Sequence, residues 1–67
     1  MKNFLNVKTS YGKDFMLNVN AIAYFVRDVS VTGCEMVTAY LVNGEDVHIM
    51  MSYDSFVNEL EKLGKNN

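Results

Sequence analysis

The chain has 67 residues, of which 49% are hydrophobic and 21% are charged, with a formal net charge of −2 at pH 7. A chain of this length forms one domain, and scaffolds below roughly 70–80 residues usually need a disulfide, a metal ion or self-association to support a small core. A single cysteine excludes an internal disulfide, and one cysteine with one histidine is too few for a tetrahedral zinc site. We therefore expect one domain over residues 1–64, a frayed tail at 65–67, and self-association.

The composition disfavours several other classes of protein. A nucleic-acid binder usually displays a basic surface, which does not fit a net charge of −2. No apolar run approaches the roughly 20 residues of a membrane helix, and the N-terminal MKNFLNVKTS lacks the pattern of a signal peptide. A lone cysteine is typical of a reducing compartment. We expect a cytoplasmic protein with no membrane contact.

Three segments in the first half of the chain have the alternation of β-strands: FLNVKT (4–9), DFMLNV (14–19) and AIAYFVRDV (21–29). Leu5 and Val7 alternate inward on the first strand, as Phe15 and Leu17 do on the second. Between these two strands, Gly12 is placed to take a positive φ in a turn. Short turns between successive strands predict antiparallel pairing.

The fourth and fifth strands flank Asn43-Gly44 in the segment VTAYLVNGEDVHIMM (37–51). Asn-Gly is a strong signal for a two-residue type I′ turn, in which both central residues have positive φ. That turn would place Tyr40 opposite Val47 and Thr38 opposite Ile49, and a slip of one residue would exchange the two faces of the hairpin. One face would carry Met36, Thr38, Tyr40, Val42, Val47, Ile49 and Met51, and the other would carry Val37, Ala39, Leu41, Asp46, His48 and Met50.

A helix is predicted in SYDSFVNELEKLG (52–64), with its body at 53–63. Ser52 is a suitable N-cap, and Gly64 is placed to end the helix in the left-handed conformation. Helical spacing predicts one apolar stripe, formed by Tyr53, Phe56, Val57, Leu60 and Leu63.

The predicted fold class is α+β: an antiparallel sheet or a small, partly open barrel of about five strands, with one C-terminal helix. One helix covers one face of a sheet, yet the third and fourth strands carry apolar residues on both faces. Two explanations are open. Either the sheet curls and encloses its second face within the monomer, or a second molecule covers that face.

We therefore expect a small non-enzymatic interaction module that self-associates, or that binds and regulates a protein partner, through an apolar sheet face. Burial of apolar area would drive the contact. The interface is predicted on the outer face of the sheet, at Phe25, Val37, Ala39, Leu41, His48 and Met50, and a different register of the hairpin would put the other face there.

No catalytic, cofactor-binding or metal-binding residue is predicted. His48 is the only histidine, and in the predicted register it faces Ala39 and lies away from Cys34, so it has no nucleophile to activate. The four glycines form no phosphate-binding loop. These patterns indicate that the chain is not an enzyme.

Nucleic-acid binding is the main alternative function. Three lysines gather near the first hairpin together with two aromatic residues that could stack on bases: Lys2, Lys8, Lys13, Phe4 and Tyr11. A second alternative, suggested by small size and acidity alone, is a phage-type inhibitor that docks on a host enzyme.

The order of features also resembles a known family. A strand, a glycine turn, a second strand, a Leu-Asn bend, an isoleucine-led strand, an Asn-Gly hairpin and a short helix follow one another here. The matching residues are Val7, Gly12, Phe15, Leu17-Asn18, Ile22, Asn43-Gly44, Val47 and Ser52 onward. This order resembles the small FlbD-type proteins associated with bacterial flagella and swarming, which implies a regulatory role. It is similar also to the first half of a LytTR-type DNA-binding domain, which would imply nucleic acid as the partner.

Overall fold

The computed structural model describes residues 3–65 and has five strands followed by one long helix. Lys2 and the end of the predicted tail, residues 66 and 67, lie outside the described residues. The elements are β1 (Phe4–Lys8), β2 (Asp14–Asn18), a 3-10 turn (Val19–Ala21), β3 (Ile22–Val29), β4 (Glu35–Leu41), β5 (Asp46–Ile49) and α1 (Tyr53–Lys65). The α+β prediction, with about five strands and a C-terminal helix, is confirmed.

The strands form two antiparallel sheets that do not close into a barrel. β1 pairs with β2, while β3, β4 and β5 form a second sheet in that order. A single bridge between Thr9 and Ile49 joins the two sheets. Beside it, the Met50 N–H donates to the Lys8 carbonyl at 2.8 Å. The end of β1 thus lies alongside the outer edge of β5.

All three hairpins use the same loop of three residues. In each loop the first flanking residue donates its N–H to the carbonyl four positions later, and a glycine N–H donates back to it. The flanking pairs are Thr9 with Lys13, Ser30 with Cys34 and Leu41 with Glu45, and the glycines are Gly12, Gly33 and Gly44. Each glycine has a φ between 81° and 94°, which a residue with a Cβ rarely adopts. This is the three-residue hairpin that ends in a left-handed glycine.

The predicted register of the β4–β5 hairpin is therefore wrong by one residue. Asn43 does not have a positive φ, so the type I′ turn does not form, and only Gly44 is left-handed. Tyr40 pairs with Asp46 and Thr38 pairs with His48. Because side chains alternate along a strand, this shift exchanges the two faces of β4 relative to β5.

The helix packs on the face of the second sheet that carries Val37 and Ala39, both of which are fully buried. Phe56 of the helix reaches the same face, and Phe25 meets its ring edge-on at a centroid distance of 4.9 Å. We call this side the helix face. The hydrophobic core between the helix and both sheets consists of Leu5, Val7, Leu17, Val37, Ala39, Ile49 and Phe56.

The opposite side of the second sheet is not covered by the helix, and we call it the distal face. Residues that pair directly across antiparallel strands share a face. From the β3–β4 and β4–β5 pairs, the distal face carries Tyr24, Val26, Asp28, Met36, Thr38, Tyr40, Asp46, His48 and Met50.

The two predicted signals at the ends of the helix have different outcomes. The Ser55 N–H donates to the Ser52 hydroxyl at 3.2 Å, which confirms the N-cap. Glu35 at the start of β4 adds a second cap, since its Oε2 accepts the Tyr53 N–H at 3.0 Å. The prediction that Gly64 ends the helix is wrong: it has no positive φ, and the helix runs on to Lys65.

The observed register makes a prediction about two valines of the same hairpin. Val37→Ala removes a fully buried side chain on the helix face, so it should lower the free energy of unfolding by roughly 2 kcal/mol. Val42→Ala, at a loop position that is 70% exposed, should change it by less than about 0.5 kcal/mol. Urea denaturation of the two variants measures the difference. Equal, small losses would contradict the register, because they would place Val37 at the surface.

Candidate functional site

The six residues predicted at the interface do not form one surface. Val37 and Ala39 are fully buried on the helix face. Phe25 and Leu41 are partly buried and pack against the same core. His48 and Met50 lie on the distal face. The physical reason is the one-residue change of register, which turns the β4 residues of the set toward the helix.

A polar line crosses the three strands of the distal face and centres on Thr38, which is only 1% exposed. The Thr38 hydroxyl donates to Asp28 Oδ2 on β3 at 2.9 Å. The same oxygen lies 3.1 Å from His48 Nδ1 on β5, and since its proton is given to Asp28, it accepts from that nitrogen. His48 Nε2 lies 3.6 Å from Asp46 Oδ2, an ion pair when the imidazole is protonated.

These contacts lower the pKa of the Asp28 carboxyl below its ordinary value of 3.8. The largest cause is the hydrogen bond from the Val29 N–H, at 2.8 Å to Oδ1, followed by the bond from Thr38. The charge of His48 contributes a smaller lowering, and partial burial opposes all three. A carboxylate held by these donors keeps its charge, and both of its oxygens are engaged.

Two exposed apolar side chains of the distal face lie on β3, the edge strand of the sheet. Tyr24 stacks on Tyr40 of the neighbouring strand with ring centroids 4.7 Å apart and planes at 21°. Tyr24 is 58% exposed and Val26 is 40% exposed, although both are in the middle of a sheet strand. Of the three exposed large apolar side chains on the described distal face, Tyr24 and Val26 thus lie next to its open edge, and the third, Met50, follows β5.

An open depression of about 490 Å³ lies between the distal face and the loops that follow β1 and β3. Its lining includes the apolar side chains of Tyr11, Met36 and Met50 and the polar side chains of Asp28 and His48. Within the described residues, no group of three or more His, Cys, Asp or Glu side chains is placed to hold a metal ion. Asp28 and His48, the polar side chains described above, are both hydrogen-bonded to the Thr38 hydroxyl.

The basic residues of the first hairpin are partly neutralised. Lys8 Nζ lies 3.5 Å from Asp14 Oδ1, so one of the described lysines shares its charge with a carboxylate. Tyr11 at the loop is 86% exposed. Nucleic-acid binding at this hairpin stays a prediction.

The predicted interface did not include Tyr24, Val26 and Asp28 of the distal face, nor the buried Thr38 on the same side of the sheet. A usable signal was present in the alternation of β5, where Asp46 and His48 share one side. A loop ending in Gly44 places that polar side against Thr38 instead of against apolar residues. The hydrogen-bonding potential of Thr38 and His48 then favours this register over the two-residue turn.

No family model matches the chain, and neither a search of curated proteins nor a search of solved structures finds a similar protein. The resemblance to FlbD-type proteins stays a prediction. None of the helices among the described residues is long and apolar enough to span a membrane.

The polar line predicts a change in the pKa of Asp28. Thr38→Val removes the hydroxyl and keeps its shape, so the pKa of Asp28 should rise toward 3.8 while staying below it, because the Val29 N–H remains. Carboxyl NMR titration measures this directly. His48→Gln, which removes the smaller electrostatic contribution, should raise the pKa by less.

The sign of the pH dependence of stability follows from the same lowering. A carboxyl with a lowered folded-state pKa stabilises the fold above its ordinary value of 3.8 and loses that contribution as the pH falls through the lowered pKa. In Asp28→Asn, the free energy of unfolding should therefore depend less on pH at the acid end of the pH range.

For the titration of Thr38→Val, an unchanged Asp28 pKa would contradict the hydrogen bond between the two side chains.

Proposed function

We propose that this protein is a non-enzymatic interaction module that self-associates through the distal face, with β3 at the centre of the contact. The observation that carries the proposal is the placement of exposed apolar side chains on β3. Tyr24 and Val26 are open to solvent there, beside a sheet edge with no neighbouring strand among the described residues. On the helix face, by contrast, Val37 and Ala39 are fully buried in the core and are not available for a contact.

The distal face has the character of a preformed contact surface. Tyrosines are enriched at protein interfaces because they bring a large contact area with few rotatable bonds. Tyr24 is further held by its stack on Tyr40. The bonds of Thr38 to Asp28 and His48 tie the three strands together beneath the contact. Such rigidity lowers the entropy lost on association.

The chemistry of the same face supports a binding role over an enzymatic one. A hydroxyl nucleophile needs an exposed oxygen whose proton passes to a base. Thr38 is almost fully buried, and its proton is directed to Asp28, which has a lowered pKa and is a weak base. The groups with catalytic potential are thus occupied in holding the sheet.

Light scattering over a concentration series tests the proposal with two matched variants. The wild-type chain should form a reversible oligomer as its concentration rises. Tyr24→Asp places a charge in the contact and should shift the chain to monomer. Val42→Asp, at an apolar position of the β4–β5 loop that is 70% exposed against 58% for Tyr24, should associate as the wild type does. Circular dichroism checks that both variants keep the fold. A wild-type chain that stays monomeric at all concentrations would overturn the proposal.

A further inference from the structure

We infer that two copies of the chain pair through their β3 strands, antiparallel and centred on Val26, to form one continuous six-stranded sheet. This inference rests on the proposed self-association and specifies its geometry. The contact would join the distal faces of the two copies side by side.

The backbone of β3 has an open edge with a defined set of free groups. The Ser30 N–H bonds to the Cys34 carbonyl at 2.8 Å, so Ser30 points its backbone groups toward β4. Antiparallel strands alternate, which directs the backbone groups of Phe25, Arg27 and Val29 away from β4. The Val29 N–H confirms this direction, because it bonds to the side chain of Asp28 and not to β4. No strand within residues 3–65 pairs with this edge.

A two-fold axis at Val26 satisfies the free groups of the middle of this edge. It sets Phe25 opposite Arg27 of the second copy, and each such pair exchanges two backbone hydrogen bonds. The two-fold axis generates a second such pair, Arg27 opposite Phe25 of the second copy, so four backbone hydrogen bonds form. The outward N–H and carbonyl groups of both residues are then paired in both copies. Val26 then faces Val26 of the second copy at a non-hydrogen-bonded position, where side chains approach most closely.

The side chains of β3 favour this centre over its neighbours. On the distal face, Tyr24 lies opposite Asp28 of the second copy, and both oxygens of that carboxylate are already hydrogen-bonded within its own chain. On the other face, Arg27 lies opposite Phe25, while its guanidinium stays bound to Glu35 of its own chain at 3.5 Å and over the Tyr53 ring at 5.1 Å. Neither pair sets like charges opposite each other. A centre at Arg27 or at Asp28 would instead set like charges directly opposite, which destabilises a strand pair.

A centre one residue earlier is also disfavoured. An axis at Phe25 would set Arg27 opposite Ala23, at the register shift between Ile22 and Tyr24, where the strand is not regular. The pairing of β3 is regular from Tyr24 to Val29, and the Val29 N–H is bonded to Asp28, so the stretch left for an outer partner is centred on Val26.

The edge of β2 is the rival surface. It is shorter, five residues against the eight of β3, and Asp14 at its start is engaged with Lys8. Met16 in its middle is 50% exposed, close to the 40% of Val26. Met16 therefore provides a matched control position on the other open edge.

Charge reversal at Val26 tests the register. In the inferred dimer, Val26→Lys sets two lysines face to face, and Val26→Glu sets two glutamates face to face, so each variant alone should be monomeric. An equimolar mixture should restore the dimer, since lysine then meets glutamate. Met16→Lys should leave association unchanged. Light scattering and sedimentation measure all four samples, and circular dichroism confirms that each is folded.

Disulfide formation provides a second and independent readout. Val26→Cys, made with Cys34→Ser to remove the exposed native thiol, should form a covalent dimer on mild oxidation. Directly opposed positions have Cα atoms about 4.5 Å apart, within disulfide range. Tyr24→Cys in the same background should not cross-link, because its two copies lie four positions apart along the strands, roughly 13 Å.

The outcomes separate the two proposals. A wild-type chain that is monomeric at every concentration overturns both self-association and the β3 geometry. A wild-type chain that dimerises, with no rescue in the Lys and Glu mixture and no cross-link at position 26, overturns the geometry and leaves self-association standing. Loss of the dimer in Met16→Lys alone would assign the contact to β2 and would equally overturn the inference.

Discussion

The two glycine-closed hairpin loops of the second sheet, which end at Gly33 and Gly44, determine which of its side chains meet the helix. A loop of three residues between Leu41 and Glu45 sets the pairing of β4 with β5, and every side chain on both strands then has a fixed face. In this register, Asp46 and His48 lie opposite the face that the helix covers. A two-residue turn would have mixed them with the side of β4 that carries Val37 and Ala39. A polar group buried without a partner costs several kcal/mol. The three-residue loop is therefore favoured, because it keeps Asp46 and His48 off the face that the helix covers.

Thr38 shows how a nearly buried polar residue is accommodated on the uncovered side. A buried hydroxyl needs hydrogen-bond partners, and Asp28 on β3 and His48 on β5 supply them from either side. The same bonds connect the edge strand to the middle of the sheet by side chains as well as by backbone. β3 is thereby held in place although no strand within residues 3–65 flanks its outer edge, and an edge fixed in this way is better ordered for pairing.

The elements of the fold could be predicted from the sequence, but the exposed surface could not. The elements follow from patterns within a few neighbouring residues, whereas the surface depends on how separate strands pair. Alternation in β1, helical spacing in α1 and the cap at Ser52 are local patterns, and the structure has each of them. The face assignment of β4 depended on the φ of Asn43. Asn-Gly fits both a type I′ turn and the end of a longer loop, so the dipeptide located the hairpin and left its register open. Gly64 is a similar case, since glycine tolerates both a helical and a left-handed backbone.

An open strand edge normally invites unlimited addition of further strands, and β3 limits this in two ways. The register shift near Ala23 interrupts the ladder at one end, and the Asp28 carboxylate occupies the Val29 N–H at the other. The accessible ladder is reduced to the stretch around Val26, enough for one short antiparallel pairing. Because a two-fold contact uses the same edge of both copies, pairing there consumes both edges and stops at two chains. A head-to-tail contact between β3 and the edge of β2 would leave free edges at both ends and would continue into a filament.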